Sequence, residues 1–342
     1  MTRAAPDALS IERIQPTSPM LIDWHQTMRA AYLDGNEAMW WESFAQLQYS
    51  VTRPHPRSRR SLFGAVRARQ CVGALEVTWR VDRRTEPAQV ELGVAPGAQG
   101  RGVGRELAAY ARAFARDQGC NVLQAEVFVP GAQELQEWRP GRFLLQQGFV
   151  VGNVEDRCVL DLPWQGLPQE GPPHGGVQLL SWVGACPGRY EVEWTALQQQ
   201  MKEDLPVGTL TRGDTGVDIA QMREQECRML DQGWLLLQSM ALIGERPVGF
   251  TELMVDRHDP RIAVQESTLV DRAARGRGIG RSLKVSNLQQ LALLPPELQI
   301  GMQHVQTYTA QQNGPMQRLN EQFGFRRVGT MHDAELLITP AH

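Results

Sequence analysis

Two short segments rich in glycine and arginine carry the clearest chemical signal in the sequence. Residues 99–105 read QGRGVGR, and residues 275–281 read RGRGIGR. Alternate glycines let a backbone approach a ligand without a clash from Cβ, and the arginines add charged hydrogen-bond donors. Where such a loop leads from a strand into a helix, backbone N–H groups and the positive helix end meet at one point. That arrangement is typical of a pyrophosphate site.

Other readings of these segments are weaker. The sequence has no GxxxxGK[ST] motif, and neither segment has the last glycine of GxGxxG with an acidic residue about 20 positions on. A single glycine- and arginine-rich segment could equally be a surface turn that binds nothing. Because two copies occur in the same setting, the sequence favours phosphate binding.

The two loops belong to a longer repeat. Val72-Gly73 recurs 176 residues later as Val248-Gly249, and Glu76 recurs as Glu252 at the same shift. The Gly-Phe pair at 148–149 recurs at 324–325, again at this shift. Ordered matches at one shift indicate a duplicated unit.

Residues 161–176, between the two copies, are rich in proline and glycine. Such a stretch cannot hold a helix or a central strand. We therefore place the boundary of two domains here and predict an N-terminal domain over 1–168 and a C-terminal domain over 169–342.

Each half shows the same predicted order of elements. Helical sequence comes first, then three strands, the glycine-rich loop, a helix with apolar residues at helical spacing, a further strand and a short helix. The strands are predicted at 62–66, 72–77, 88–94 and 122–129, and at 234–241, 248–255, 262–270 and 304–309. This alternation predicts an α/β or α+β fold with a mixed sheet in each half.

Both loops resemble the Q/R-x-x-G-x-G/A signature of the GNAT N-acetyltransferases. Residues 313–325, NGPMQRLNEQFGF, resemble the family's N-x-x-A-x-x-L-Y-x-x-x-G-F segment. The resemblance covers nearly the whole chain, and its tandem layout is similar to that of mycothiol synthase and other double-domain members. It implies two tandem GNAT-like domains, each with a mixed, mostly antiparallel sheet flanked by helices.

The resemblance also implies a co-substrate, acetyl-CoA, whose pyrophosphate binds at the loops, and it implies no metal. Backbone N–H groups near Leu269 and Val270 would polarise the thioester carbonyl. In the C-terminal half the predicted contacts are Leu269, Val270, Arg275, Gly276, Arg277, Gly278, Ile279, Gly280, Arg281 and Asn313. In the N-terminal half they are Val94, Gln99, Gly100, Arg101, Gly102, Val103, Gly104 and Arg105.

Neither half has a tyrosine at the position of this family's frequent general acid. The family's tyrosine, a frequent general acid, falls on Leu144 and Asn320. A thiol has a pKa of roughly 8.5, so a thiolate leaves with little help, whereas an alkyl amine with a pKa of about 10.4 must lose a proton before it attacks. A nearby carboxylate would accept that proton.

Glu266 is the first candidate for this base and Glu252 is the second. Strand alternation would place Glu266 on the same face as Val264, Thr268 and Val270. The alternative, that each glutamate belongs to a structural ion pair, is equally compatible with the sequence.

The N-terminal half is predicted to be degenerate and the C-terminal half catalytic. At the shift of 176, Val90 matches Glu266, and alternation turns Glu91 to the opposite face. Glu137 stands where Asn313 stands in the second half. Of the predicted site, the N-terminal half would then retain only the glycine-rich loop.

These observations predict an acyl-CoA-dependent N-acyltransferase. It would carry acetyl from acetyl-CoA to a primary amine of a small molecule by direct attack in a ternary complex. The alternatives are a non-catalytic acyl-CoA-binding or sensing protein, and an N-terminal half that is purely a scaffold.

Composition narrows the partners and the compartment. The 342 residues carry a formal net charge of −3, which argues against nucleic acid as a partner. No apolar run is long enough for a membrane span, and the first ten residues do not resemble a secretory signal. Five widely spaced cysteines predict reduced thiols in a cytoplasmic protein. Homodimer formation stays open.

Overall fold

The computed structural model describes residues 8–36, 39–82, 86–166, 176–213 and 216–338. The chain folds into two compact units. The first comprises Met1–Val154, Val207–Asp214 and Gly329–His342, and the second comprises Glu155–Pro206 and Thr215–Val328. The boundary predicted after residue 168 lies in 167–175, outside the described residues, and stays a prediction.

The first unit consists of one mixed sheet with helices. Its strands are β1 (Ser10–Ile14), β2 (Ser58–Arg67), β3 (Gln70–Arg80), β4 (Ala88–Val94), β5 (Val122–Pro130) and residues 329–337 of β12 (Arg326–Leu337), paired in that order. Its helices are α1 (Met20–Leu33), α2 (Phe44–Thr52), α3 (Val103–Asp117) and α4 (Arg139–Gln146). Among the described strands of this unit, only β4 and β5 pair in parallel.

The second unit repeats this plan. Its strands, in order across the sheet, are residues 155–161 of β6 (Val150–Asp161), β11 (His304–Ala310), β10 (Ile262–Val270), β9 (Arg246–Asp256), β8 (Trp234–Ile243) and β7 (Val177–Val183). Its helices are α5 (Glu191–Asp204), α6 (Ile219–Asp231), α7 (Ile279–Ala292), α8 (Pro296–Gln299) and α9 (Gly314–Phe323). The predicted fold class is confirmed in both units.

Strands β6 and β12 were absent from the sequence prediction, and they cross between the repeats. Each follows a Gly-Phe pair. Strand β6 belongs to the first half of the sequence, yet its residues 155–161 pair with β11 of the second unit. Strand β12 ends the second half, yet its residues 329–337 pair with β5 of the first unit. Each sheet is therefore completed by a strand from the other half of the chain.

Apolar packing covers both faces of each sheet. In the second unit, α7 and α9 cover one face, where Leu253 and Leu288 are buried, and α5 and α6 cover the other, where Trp194 and Phe250 are buried. In the first unit, α3 and α4 cover the face that contains Leu75, and α1 and α2 cover the opposite face. These packed layers fix the strands that carry the candidate site.

The parallel strands part soon after they begin to pair. Strand β10 pairs with β11 only from Ile262↔His304 to Val264↔Gln306. In the first unit, β4 pairs with β5 only at Ala88 and Gln89. Beyond these points the facing strand edges have no strand partner. Because backbone polar groups need partners, each opening suits a ligand that hydrogen-bonds to main chain.

A β-bulge in β10 changes which side chains share a face. Gln265 is opposite Leu253, but Thr268 is opposite Thr251, so two residues of β10 face Glu252 alone. The Gln265 side-chain amide donates to the backbone oxygens of Glu252 and Ser267, which stabilises the bulge. The expectation that Glu266 and Thr268 share a face is therefore wrong. Thr268 lies on the face of Gln265, where its hydroxyl meets that of Thr251.

Burial predicts where the second unit is sensitive to truncation. Leu253 is fully buried, so Leu253→Ala should lower the free energy of unfolding by about 2–5 kcal/mol. Leu293 is 83% exposed, and Leu293→Ala should stay within about 0.5 kcal/mol of the parent. Urea unfolding followed by tryptophan fluorescence measures both. Equal effects of the two changes would contradict the packing.

Candidate functional site

Each glycine-rich loop leads from the end of a strand into the N-terminus of a helix. Helix α7 begins at Ile279 after Gly278, and α3 begins at Val103 after Gly102. Gly276 and Gly278 have φ values of +79° and +75°, and a Cβ at either position would meet open space. The loop is therefore exposed to a ligand. The first N–H groups of the helix have no partner within the helix.

The first side chain of each signature turns back to its own strand. Arg275 Nε donates to the carbonyl oxygen of Val270 at 3.0 Å, and Gln99 Nε2 donates to that of Val94 at 3.1 Å. Arg275 also forms an ion pair with Asp204 at the end of α5. In this structure Arg275 fixes the loop to the strand end, while Arg277 is exposed at the surface.

The loop and the opening meet at Val270. Its carbonyl is directed away from β9, toward Arg275. In an antiparallel strand the N–H and the carbonyl of one residue point to the same side. The Val270 N–H therefore faces the edge of β10 with which β11 no longer pairs. The neighbouring Leu269 is buried among side chains of α5. This backbone edge is where the sequence predicted a hydrogen bond to a carbonyl.

The helices after the openings begin differently. Asn313 caps α9, because its Oδ1 accepts from the Met316 N–H at 3.3 Å. In the first unit, α4 follows Trp138, which makes no side-chain capping bond, and Glu137 is exposed. The structure thus gives Asn313 a role in the fold beside the contact predicted for it.

Two carboxylates lie together on the α5–α6 face of the second sheet. Glu252 Oε1 accepts from Gln198 at 3.5 Å and from Gln238 at 3.3 Å. Burial, and then the charge of Glu266, raises the pKa of Glu252 to about 7. The surrounding protein also raises the pKa of Glu266, although its side chain stays open to solvent. Within the described residues neither carboxylate forms an ion pair with a cation.

The first unit has a carboxylate pair in the corresponding place. Glu76 and Glu91 are direct neighbours across β3 and β4, where no bulge occurs. The bulge in β10 adds one residue, so Glu91, and not Val90, is the structural counterpart of Glu266. The expectation that the first half has no carboxylate at this place is therefore wrong.

The surroundings of the two pairs differ. Arg60 contacts Glu76 at 2.7 Å and Glu42 at 2.6 Å. A structural ion pair was the alternative considered for Glu252 and Glu266. The structure shows such an ion pair in the first unit, on Glu76. The second pair has neutral amides, those of Gln198 and Gln238, where the first pair has the guanidinium of Arg60.

A buried lysine on the opposite face of the second sheet was missed by the sequence reasoning. Lys284, in α7, donates to Asn320 Oδ1 at 2.8 Å, and Asn320 Nδ2 donates to Thr309 at 3.0 Å. Burial lowers the pKa of Lys284 to about 7. A signal was present, because Lys284 lies one turn before Leu288 in the apolar stripe of the helix. The first unit has Ala108 and Leu144 at these two positions.

The family model of the acetyltransferase (GNAT) family matches residues 21–137 and 195–325. These two matches include both loops and most of the chain. The chain belongs to the acetyltransferase (GNAT) family. It is an N-acetyltransferase, and the tandem GNAT arrangement that the family resemblance implied is confirmed.

Two curated relatives match the chain at 27–28% identity. The chain is 28% identical over 237 residues to a mycothiol acetyltransferase of Actinosynnema mirum, which covers 69% of this chain and 71% of that one. It is 27% identical to a mycothiol acetyltransferase of Thermobispora bispora, with 71% and 74% covered.

Solved GNAT structures share the fold. A tandem GNAT protein from the clavulanic acid biosynthesis pathway superposes with a TM-score of 0.80 at 22% identity, covering 98% of this chain and 100% of that one. A GCN5-related N-acetyltransferase from Sphaerobacter thermophilus gives 0.66 at 15% identity, covering 98% and 97%.

Three further observations describe the rest of the molecule. All five cysteines are free thiols. Across the part of the chain that the structure describes, no helix is both long and apolar enough to cross a membrane. The same residues contain no cluster of three His, Cys, Asp or Glu side chains that could hold a metal ion.

The loop geometry predicts the effect of one substitution on CoA binding. Gly278→Asp places a side chain and a like charge where phosphate would bind, and a non-glycine residue is strained at this φ. We expect CoA affinity to fall at least about tenfold by calorimetry. Gly301→Asp is the control, because Gly301 also has a positive φ and open space but lies outside the loop. Unchanged affinity in a folded Gly278→Asp variant would refute the loop assignment.

Proposed function

We propose that the second unit transfers acetyl from acetyl-CoA to a primary amine of a small molecule, by direct attack in a ternary complex. The observation that carries this proposal is the Glu252 and Glu266 pair beside the opening of β10 and β11. The relatives named mycothiol acetyltransferase support a small-molecule acceptor. We further propose that the protein is cytoplasmic and that its catalytic half begins after residue 168.

The substrate would bind along the edge that β10 and β11 leave open. The loop at 275–281 and the first turn of α7 would hold the pyrophosphate, with Asn313 at the other side of the opening. The N–H of Val270 would hydrogen-bond to the thioester carbonyl oxygen and stabilise the negative charge that develops there. Arg275, tied to Val270, would keep this strand end in place.

The amine would approach from the α5–α6 face, where the two carboxylates lie. Glu252 or Glu266 would accept a proton from the attacking nitrogen. A carboxylate whose pKa lies near the working pH is an effective base, because it is partly ionised and still basic. The neutral partners of Glu252, Gln198 and Gln238, leave it free to change its charge.

The first unit would bind CoA without catalysing transfer. Its loop is preserved, but Arg60 holds Glu76 in an ion pair, and Ala108 and Leu144 make the other face apolar. The non-catalytic binding function considered from the sequence therefore fits this unit.

The pKa of Glu252 predicts the pH dependence of turnover. A carboxylate base acts when ionised, so kcat/KM should rise as the pH increases toward about 7. Glu252→Gln should lower kcat by a factor on the order of 10² and remove this rise if Glu252 is the base.

Glu266→Gln tests the other carboxylate in the same way, and Glu203→Gln, on the exposed side of α5, is the control. Steady-state kinetics with one accepted amine across pH 5–9 distinguishes them. Wild-type turnover in both the Glu252→Gln and the Glu266→Gln proteins would exclude the pair as the base.

Paired loop variants test which unit is catalytic. Gly278→Asp should abolish turnover, whereas Gly102→Asp should leave kcat within about threefold of the parent and reduce the number of CoA molecules bound. Calorimetry gives the stoichiometry and a coupled thiol assay gives kcat. Loss of turnover only in the Gly102→Asp protein would assign catalysis to the first unit.

A further inference from the structure

Lys284 is an unusual basic residue in this chain. The protein has only two lysines, Lys202 and Lys284, among 35 basic residues. Lys284 is 2% exposed and lies on the sheet-facing side of α7. Burying an ammonium group is costly unless the charge is compensated. A buried lysine without such compensation therefore calls for a functional explanation.

The hydrogen bonds of Lys284 leave donors unused. An ammonium group has three N–H donors, and the described contacts are one bond to Asn320 Oδ1 and the ring of Phe325 at 5.4 Å. The titratable group that faces it is the thiol of Cys158 on β6, whose pKa is raised to about 11. Within the described residues no carboxylate pairs with Lys284. Its remaining N–H donors have no acceptor among the described residues.

The neighbours of Lys284 place it behind the opening of the sheet. Asn320 accepts from Lys284 and donates to Thr309. Thr309 lies three residues beyond Gln306, which is the last residue of β11 that pairs with β10. At the other wall, Gly280 in the first turn of α7 lies against Val270. Lys284 follows one turn after Gly280. It therefore lies on the α7–α9 face of the opening, opposite the face that carries Glu252.

We propose that Lys284 donates the proton that the departing thiolate of CoA takes up, with Asn320 as its positioning residue. This inference rests on the proposed function. The amine nitrogen bonds to the thioester carbon, the carbon–sulfur bond breaks, and its electron pair stays on sulfur. A glutamate on one face accepts a proton from nitrogen, and Lys284 on the other face delivers one to sulfur. Solvent then returns the proton to Lys284 and removes it from the glutamate.

Physical chemistry favours this direction of transfer. An amine with a pKa of about 7 is a stronger acid than a thiol with a pKa of roughly 8.5, so the proton moves downhill to the thiolate. The first unit lacks these two groups at the corresponding positions, where Ala108 and Leu144 replace Lys284 and Asn320. The proposed donor is thus present only where we propose catalysis.

The two lysines allow a direct test by NMR that does not depend on activity. The full chain, labelled with carbon-13 at lysine Cε, is titrated with CoA and with desulfo-CoA, and Lys284→Met assigns the signals. If the proton passes from Lys284 to sulfur, the Lys284 signal should show a second titration step with CoA, where the neighbouring thiol ionises, that is absent with desulfo-CoA, and Lys202 should be unchanged. Identical Lys284 titration curves in the two complexes would overturn the proposal.

Kinetics with two leaving groups provides the second test. Lys284→Met should lower kcat with acetyl-CoA by a factor on the order of 10², and the deficit should largely disappear with acetyl-seleno-CoA, whose more acidic selenol needs no proton donor. An equal deficit with both esters would show a structural role and refute the proposal.

Folding and the proposed function are checked separately. Replacing a buried charge by an apolar group of similar size is often neutral or stabilising, so the Lys284→Met protein should fold. Asn320→Leu, which copies Leu144 of the first unit, is the second variant and should show the same dependence on the leaving group. Absence of any transfer by the parent protein would instead refute the proposed function.

Discussion

The parting of β10 from β11 after Gln306 is the constraint on which the second unit depends. A parallel pair that stops after three residues leaves backbone donors and acceptors without a strand partner. The helices on either face hold this opening in place, since Leu253 and Leu288 pack beneath it and Trp194 and Phe250 pack above it. The fold therefore presents main-chain groups to a ligand beside side chains on two faces.

The bulge at Glu266 determines which side chains of β10 lie beside Glu252 at this opening. It sets two residues of β10 against Glu252, and Gln265 and Thr251 satisfy the backbone oxygens that the bulge releases. The result is a carboxylate pair with neutral partners on one face. On the other face, Lys284 and Asn320 form a polar cluster. The first unit has the same opening, but Arg60 and apolar residues take the place of these groups.

The sequence predicted the two units and their fold class, but it did not predict the bulge in β10 or the partners of β6 and β12. The repeat at a shift of 176 and the alternation of elements were sufficient for two tandem units of one fold, because loops and apolar spacing are local signals. The equivalence of Glu91 with Glu266 was not predictable, since one extra residue in β10 breaks the shift of 176 without leaving a local mark in the sequence. The crossing of β6 and β12 between units was also hidden, because a strand's own residues do not specify which edge it joins.

The most direct test of the account is a crystal structure of the full chain with acetyl-CoA. We expect the thioester to lie between β10 and β11, with its carbonyl oxygen within hydrogen-bond distance of the Val270 N–H and with Glu252 or Glu266 facing it from the α5–α6 side. A thioester seated only in the first unit, or one in the second unit that neither carboxylate faces, would contradict it.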